Sequence, residues 1–497
     1  MTLTPRTTTE RPDLPDELPA GAGRAAAGIA VVLVAQLMLV LDTTVVNVAL
    51  PRIDADLGFG PASLSWVLNG YTLAFGGLLL LGGRLGDIAG RRRVFVLGLG
   101  LFTLASLLGG LAPTPEALVA ARAGQGVGAA LAAPGVLALL VTSAPDEAAR
   151  NRALALFSAV TSAGISIGLI LGGVLTDLGS WRWTLFINVP IGIAVLVLVT
   201  CLVDETERRP GRFDVLGAVT ATLGSVSLVW ALIGTPEHGW TSPRTLGGFA
   251  LGLALLALLA RTELRVPHPL VQPALLRDRS RVASLLVMAL VVGGQLSMFF
   301  LVVQYVQGVL GFGPLAAGAA FLPLSLGIFA MSRLTPRLVA VFGPARLMMV
   351  GTLGLTASFV LLSNVGEGGT YATAVLVPMI VNGLSAGLVF MPVTVTVMNG
   401  VAPHHAGSAS GLLQTMQQLG SAVGLAAIVS VYAAGAVPGA FVPGARAAFL
   451  TSAAFTATAF MVTAVVLRRR PAEQAVPAPE ETAEPLVTAE LESDLAA

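Results

Sequence analysis

Apolar stretches of about 20 residues recur along most of the chain, separated by short polar loops. In hydrocarbon every backbone N–H and C=O must be satisfied inside the element that carries it. An uninterrupted apolar run of that length therefore reads as a helix, and the alternation of a barrel strand is missing. With a mean hydropathy of +0.84 and only 11% charged residues, the chain is expected to be an all-α polytopic membrane protein. Fourteen transmembrane helices fit, over 27–50, 63–83, 94–112, 117–141, 153–176, 183–203, 214–234, 245–265, 281–305, 314–333, 345–363, 372–399, 407–432 and 446–467. The split between the twelfth and thirteenth, at "NGVAPHHAG", is the weakest boundary. Residues 1–26 are polar and Pro-rich, unlike a cleavable signal peptide, so the first span is expected to direct its own insertion.

Charge limits the function classes. A net charge of +1, with the arginines scattered among loops, argues against nucleic acid as a partner. There is no lysine, and all 28 basic residues are arginine. The single cysteine, Cys201, rules out an intrachain disulfide and a cysteine-based metal site. No phosphate-cradling GxxxxGK[ST] loop, catalytic triad or metal constellation is present, so the expectation is neither an enzyme nor an ATP-driven pump, with no cofactor and no metal. Short cytoplasmic loops retain arginine, and with both termini inside only Arg52, Arg182, Arg244 and Arg446 among the loop arginines fall outside. The tail 468–497 is acidic and rich in Pro and Ala, and is expected to be disordered, as is 1–26.

The chain repeats itself. "LGFGP" at Leu57–Pro61 recurs at Leu310–Pro314, an offset of 253 residues, and at that offset Arg84, Leu85, Gly90 and Arg93 meet Arg337, Leu338, Gly343 and Arg346. "SAGISIG" (Ser162–Gly168) pairs with "QLGSAVG" (Gln418–Gly424) at a slightly different offset. This predicts two parallel six-helix bundles, 27–203 and 281–467, joined by a linker with two inserted helices at 204–280, and a central cavity open alternately to each side.

Four motifs resemble the major facilitator superfamily, and within it the fourteen-helix drug:proton antiporters. "GGRLGDIAGRRRV" (Gly82–Val94) looks like the loop signature between helices 2 and 3, and "LDTTVVNVALP" (Leu41–Pro51) is similar to the helix 1 motif of the fourteen-helix exporters. "RAGQGVGAA" (Arg122–Ala130) resembles the helix 4 motif with its embedded arginine. "GISIGLILGG" (Gly164–Gly173) looks like the helix 5 antiporter motif, except that Leu169 stands where the family usually has proline, which is expected to leave this helix straighter. The resemblance implies the major facilitator fold, proton coupling through the helix 1 acid and the helix 4 arginine, conformational switching by Gly83, Asp87, Gly90, Arg91 and Arg93, and a packing role for Gly164, Gly168, Gly172 and Gly173.

The residues support this independently. An ionisable side chain in a bilayer is costly and is by default a functional candidate. The first bundle buries two, Asp42 about 12 Å from the outer end of its helix and Arg122 about 9 Å inside its own, at matching depth. They form either a static structural ion pair or a proton site in which burial disfavours the carboxylate and the guanidinium favours it. The glycines Gly83, Gly86 and Gly90 are expected to allow a tight turn with close helix approach. Asp87 either pairs with loop arginines or latches the two bundles, and Arg91–Arg93 either switch conformation or simply hold the loop inside. Between Arg281 and Arg470 the sole carboxylate is Glu367, in an outer loop, which leaves neutral, zwitterionic or anionic substrates open. Gln36, Asn47, Asn69, Gln125, Gln295, Gln304, Asn382, Gln414 and Gln418 are embedded amides that either glue helices or line a substrate pocket. Trp66, Trp181, Trp183 and Trp240 read as interface anchors. Expected partners are a small hydrophobic substrate, protons and the lipid bilayer, with the chain a monomer in a bacterial inner membrane. The leading expectation is proton-coupled drug export; metabolite uptake and a non-transporting scaffold or sensor are the alternatives.

Overall fold

The computed structural model describes residues 20–60, 63–144, 146–206, 215–263, 273–366, 368–401, 406–436 and 440–467. His404, His405, Glu367 and the tail from residue 468 lie outside them. Among the described residues the structure is helical: α1 (Ala20–Leu57), α2 (Trp66–Ala89), α3 (Arg91–Gly110), α4 (Pro115–Thr142), α5 (Glu147–Leu178), α6 (Trp183–Phe186), α7 (Asn188–Leu202), α8 (Val215–His238), α9 (Pro243–Glu263), α10 (Arg279–Gln304), α11 (Pro314–Ala319), α12 (Leu322–Phe342), α13 (Pro344–Leu362), α14 (Val377–Met398), α15 (Ala406–Ala434) and α16 (Val442–Val462). The pair α6 and α7 forms one span, as does α11 with α12, so twelve helices are long and apolar enough to cross a membrane and two bent ones bring the total to fourteen. Pro190 lacks the N–H that would reach the Phe186 carbonyl, which is where α6 yields to α7. The weak boundary between the twelfth and thirteenth spans holds, with α14 ending at Met398 and Gly400 at φ 66°. α1 starts at Ala20, inside the segment expected to be disordered.

α5 is bent by 40° between Arg152–Ile165 and Ile167–Leu178. The helix is therefore bent with Leu169 in place of proline. The bend falls in the Gly/Ser-rich stretch Ser162–Gly168, the other usual cause of a sharp kink.

The repeat is real in the backbone. Gly58 and Gly311 share positive φ values of 72° and 69°, and Gly90 and Gly343 share 105° and 75°. Each pair is separated by the offset of 253 read in the sequence. The Gly90 N–H donates to the Gly86 carbonyl and the Gly343 N–H to the Val339 carbonyl, again the same positions.

Packing in the first half rests on small residues. A Cβ at Gly128 would stand 2.5 Å from the Phe102 nitrogen, and one at Gly98 2.7 Å from the Ala132 nitrogen, so α3 and α4 touch backbone to backbone. Gly126 lies against the Tyr71 carbonyl in the same way, drawing α2 onto α4. The halves meet through Gly173 of α5, whose Cβ would fall 2.6 Å from the Pro314 carbonyl oxygen, through Gly318 of α11 against the Leu169 carbonyl, and through Gln307 Nε2, which donates to the Val48 carbonyl at 2.8 Å. These contacts sit at the helix ends remote from Arg91–Arg93. Midway, Gln418 of α15 lies over Gly76 of α2. The inserted α8 wedges beside this seam: its Thr222 packs on Gly77 of α2, and its Leu232 carbonyl accepts from Ser430 Oγ of α15 at 2.5 Å.

Candidate proton site and its neutral counterpart

The close approach of α2, α3 and α4 delivers the polar side chains of the first half to one place. Asp42 and Arg122 side chains are 0% and 1% exposed, with Arg122 Nη1 2.5 Å from Asp42 Oδ2. Arg122 also donates from Nε to the Val67 carbonyl at 3.0 Å and from Nη1 to Gln125 Oε1 at 2.8 Å, and its guanidinium carbon lies 4.7 Å from the centre of the Tyr71 ring. Gln125 Nε2 donates to Asp42 Oδ1 at 2.8 Å and to Ser106 Oγ at 2.7 Å. Asn188, the first residue of α7, donates from Nδ2 to the same Oδ1 at 2.8 Å. Asp42 therefore holds three donors from two helices, α4 and α7, and the ring Asp42–Arg122–Gln125 closes on itself.

Such a cluster compensates the cost of burying either charge, because the guanidinium and the amides replace lost water. Oδ1 and Oδ2 accept all three donors, and a proton placed on either oxygen would take one of its lone pairs and weaken both as acceptors.

The second half contains the same arrangement without charge. Moving by the 253 offset takes Asp42 to Gln295, and nearly the same shifts take Ser106 to Ser358 and Gln125 to Asn382. Gln295 Nε2 donates to Asn382 Oδ1 at 2.8 Å, and Asn382 Nδ2 to Ser358 Oγ at 3.3 Å, while Gln295 Oε1 is buried without a partner among the described residues. Among the described residues, a fully buried acid–arginine pair is found in the first bundle.

Among the described residues, then, a repeated helical fold carries one fully buried acid–arginine pair. The model of the Major Facilitator Superfamily matches residues 32–425. The chain belongs to the major facilitator superfamily. Relatives within the superfamily include the puromycin resistance protein pur8 of Streptomyces alboniger, 42% identical over 411 residues covering 81% of each chain. The cephamycin export protein CmcT of Amycolatopsis lactamdurans is 42% identical over 81% of this chain and 84% of its own. The fold is shared with the POT family transporter PepTSo, at a TM-score of 0.66 and 16% identity over 89% of this chain and 97% of that one.

Around the major facilitator loop signature, Asp87 pairs with Arg91 of its own loop, Oδ1 to Nη2 at 2.9 Å, and does not reach the second half. Gly90 is required by its φ of 105°, and a Cβ there would also come within 2.7 Å of the Glu205 carboxyl and push it aside. Gly83 and Gly86 meet only ordinary contacts at 3.6 Å; the close approach belongs to Gly82, which lies on the Ala130 carbonyl. Glu205, in the segment after α7, caps α3: Oε1 accepts from the Arg92 backbone N–H at 3.0 Å and Oε2 from that of Arg93 at 3.2 Å, while Thr206 Oγ1 accepts from the Arg91 N–H at 3.1 Å. The anion sits where the helix dipole favours it. On α5, Gly164 faces Val40, Gly168 faces Thr44 and Gly172 faces the Val45 carbonyl of α1, whereas Gly173 turns to the other half.

The remaining amides divide. Gln125 and Gln295 belong to the two clusters, and Gln418 lies at the seam between halves. Gln36 binds Thr161 of α5 at 3.2 Å, and Gln304 and Asn47 bond carbonyls of their own helices. Gln414 is half-buried on α15. Asn69 is fully buried with both polar atoms unpartnered among the described residues. Trp183 and Trp240 are exposed as interface anchors should be, but Trp181 is buried, its Nε1 donating to Asp56 Oδ2 at 2.9 Å. Sequence reasoning missed Asn188, Ser106 and Tyr71. Asn188 carried a signal, an amide inside an apolar span; Ser106 and Tyr71 carried none, since hydroxyls are commonplace in spans.

Proposed function

We propose that this chain is a proton-coupled exporter of small hydrophobic or amphipathic drugs or antibiotics, acting by alternating access as a monomer in a bacterial inner membrane. The supporting observation is the Asp42–Arg122 pair, fully buried at 2.5 Å and shared with two amides, whose counterpart cluster in the other half carries no charge. Asp42 is the proton carrier. Arg122 and Gln125 hold it, and substrate contacts come from the second half, whose counterpart cluster is uncharged, with Gln295 and Gln418 the foremost of the amides. The bundles are 27–203 and 281–467, with 204–280 the inserted linker. Placing both termini in the cytoplasm turns Arg91–Arg93 inward, so the contacts of Gln307, Gly173 and Gly318 close the outer face of this conformer. The names of relatives that confer puromycin resistance or export cephamycin favour antibiotics as the substrate class.

Two measurements test the reading. A drug-hypersensitive bacterium expressing the chain is screened for susceptibility across diverse antibiotics, and protection against at least one is expected. Efflux of that compound is then followed with Asp42→Asn and with a collapsed proton gradient; both abolish uphill export. Uphill export by Asp42→Asn that ignores the gradient would make the pair a static brace. Net accumulation in place of efflux would make the protein an uptake carrier.

A further inference from the structure

α7 begins at the proton site and ends at the loop signature. Its first residue, Asn188, is 1% exposed and bonded to Asp42 Oδ1. Its 15 residues carry it about 21 Å to its end at Leu202. The backbone then delivers Val203, whose carbonyl accepts from Arg92 Nη1 at 2.9 Å, and Glu205 and Thr206, which cap all three of the first N–H groups of α3. One rigid element thus has one end on the acid and the other on the arginine loop.

Resting on the reading of Asp42 as the proton carrier, we propose that Asn188 is a positioning residue through which the protonation state of Asp42 is transmitted along α7 to the Glu205 cap on α3. The argument is which bond breaks. Oδ1 accepts from both Gln125 and Asn188. Gln125 has two further partners, Ser106 and Arg122, that hold it in place. Asn188 Nδ2 makes its hydrogen bond to Asp42 and to no other described residue. When Asp42 takes up a proton its oxygens become poorer acceptors, and the less anchored donor is released first. Among the described residues, the charged and titratable groups placed against Asp42 are Arg122 from α4 and the phenol of Tyr71 from α2, neither of which moves with α7. Releasing Asn188 removes the hydrogen bond that ties the start of α7 to α1, while the middle of α7 stays on α3, where Gly192 lies against Thr103, and its inner end stays on α1, where Gly28 lies against the Leu202 carbonyl and Arg24 donates to the Cys201 carbonyl. A tilt about the Gly192 contact displaces Val203 and Glu205 at the far end.

The chain supplies its own reporter. Cys201 is the single cysteine and is exposed near the inner end of α7. Full-length protein in liposomes is spin-labelled at Cys201 and titrated with acid, while infrared absorption follows the carboxyl band assigned to Asp42 by its loss in Asp42→Asn. The wild type is expected to show a change in label mobility that tracks the Asp42 band. Asn188→Ala is expected to keep the titrating band but lose the label response to less than about a fifth of its amplitude, and Asn188→Ser, which restores a short donor, to regain most of it. The proposal is overturned if the label responds equally in Asn188→Ala, or if band and response are both lost and Asn188→Ser restores neither, which makes Asn188 merely structural. A wild-type band that titrates without any label response overturns the transmission alone, whereas a band that never titrates removes the proton reading beneath it.

Discussion

At the scale of single residues, the Asp42–Arg122 pair is costly to break and cheap to replace. Arg122→Ala strands the buried Asp42 carboxylate and takes the donor from the Val67 carbonyl, and is expected to cost about 3–5 kcal/mol, read as a large fall in thermal stability of the detergent-solubilised protein. The double variant Asp42→Leu with Arg122→Met is expected to recover most of that stability while exporting nothing, which separates folding from transport. Ser106→Ala, which removes one of the partners of Gln125, is expected to cost about 1 kcal/mol and to leave export measurable. The acid, the arginine and Gln125 were legible in the sequence because charge and amide stand out against hydrocarbon. Their partners were less so: Ser106 and Tyr71 reach the cluster only because Gly128 and Gly126 let α3 and α2 close on α4, and that registry lies in three dimensions.

At the scale of helices, small residues set the distances. A Cβ at Gly172 would stand 2.5 Å from the Val45 carbonyl oxygen, backbone that cannot swing aside, so Gly172→Val is expected to destabilise by about 1–3 kcal/mol, checked by thermal unfolding. The second half repeats the device, with Gly420 and Gly424 of α15 lying against Ala289 and Gly293 of α10. Helix number and the repeat could be read directly, since hydropathy and offset are properties of the string. The bend of α5 could not, because a Gly/Ser stretch permits a kink without demanding one. Arg281 reads in the sequence as a topology signal, yet it is 5% exposed and its guanidinium donates to the carbonyls of Val397 and Asn399, where it caps the end of α14.

At the scale of the whole molecule, alternating access requires the seam between halves to open at one end. Cysteines introduced at Val48 and Gln307 in a Cys201→Ser background are expected to arrest flux on oxidation and to release it on reduction, measured in one vesicle preparation. The inserted α8 touches α2 and α15, so it cannot stay fixed to both while the halves rock.

The neutral copy around Gln295 has an electrical consequence. On the proposed reading of Asp42 as the proton carrier, the ionised Asp42–Arg122 pair cancels, and protonation leaves one uncompensated positive charge in the first bundle, which the neutral cluster around Gln295 does not balance. Membrane voltage, worth about 2.3 kcal/mol per elementary charge per 100 mV, then pulls on a single half of the molecule, and rocking becomes a voltage-dependent step in proportion to how far that charge is carried across the field.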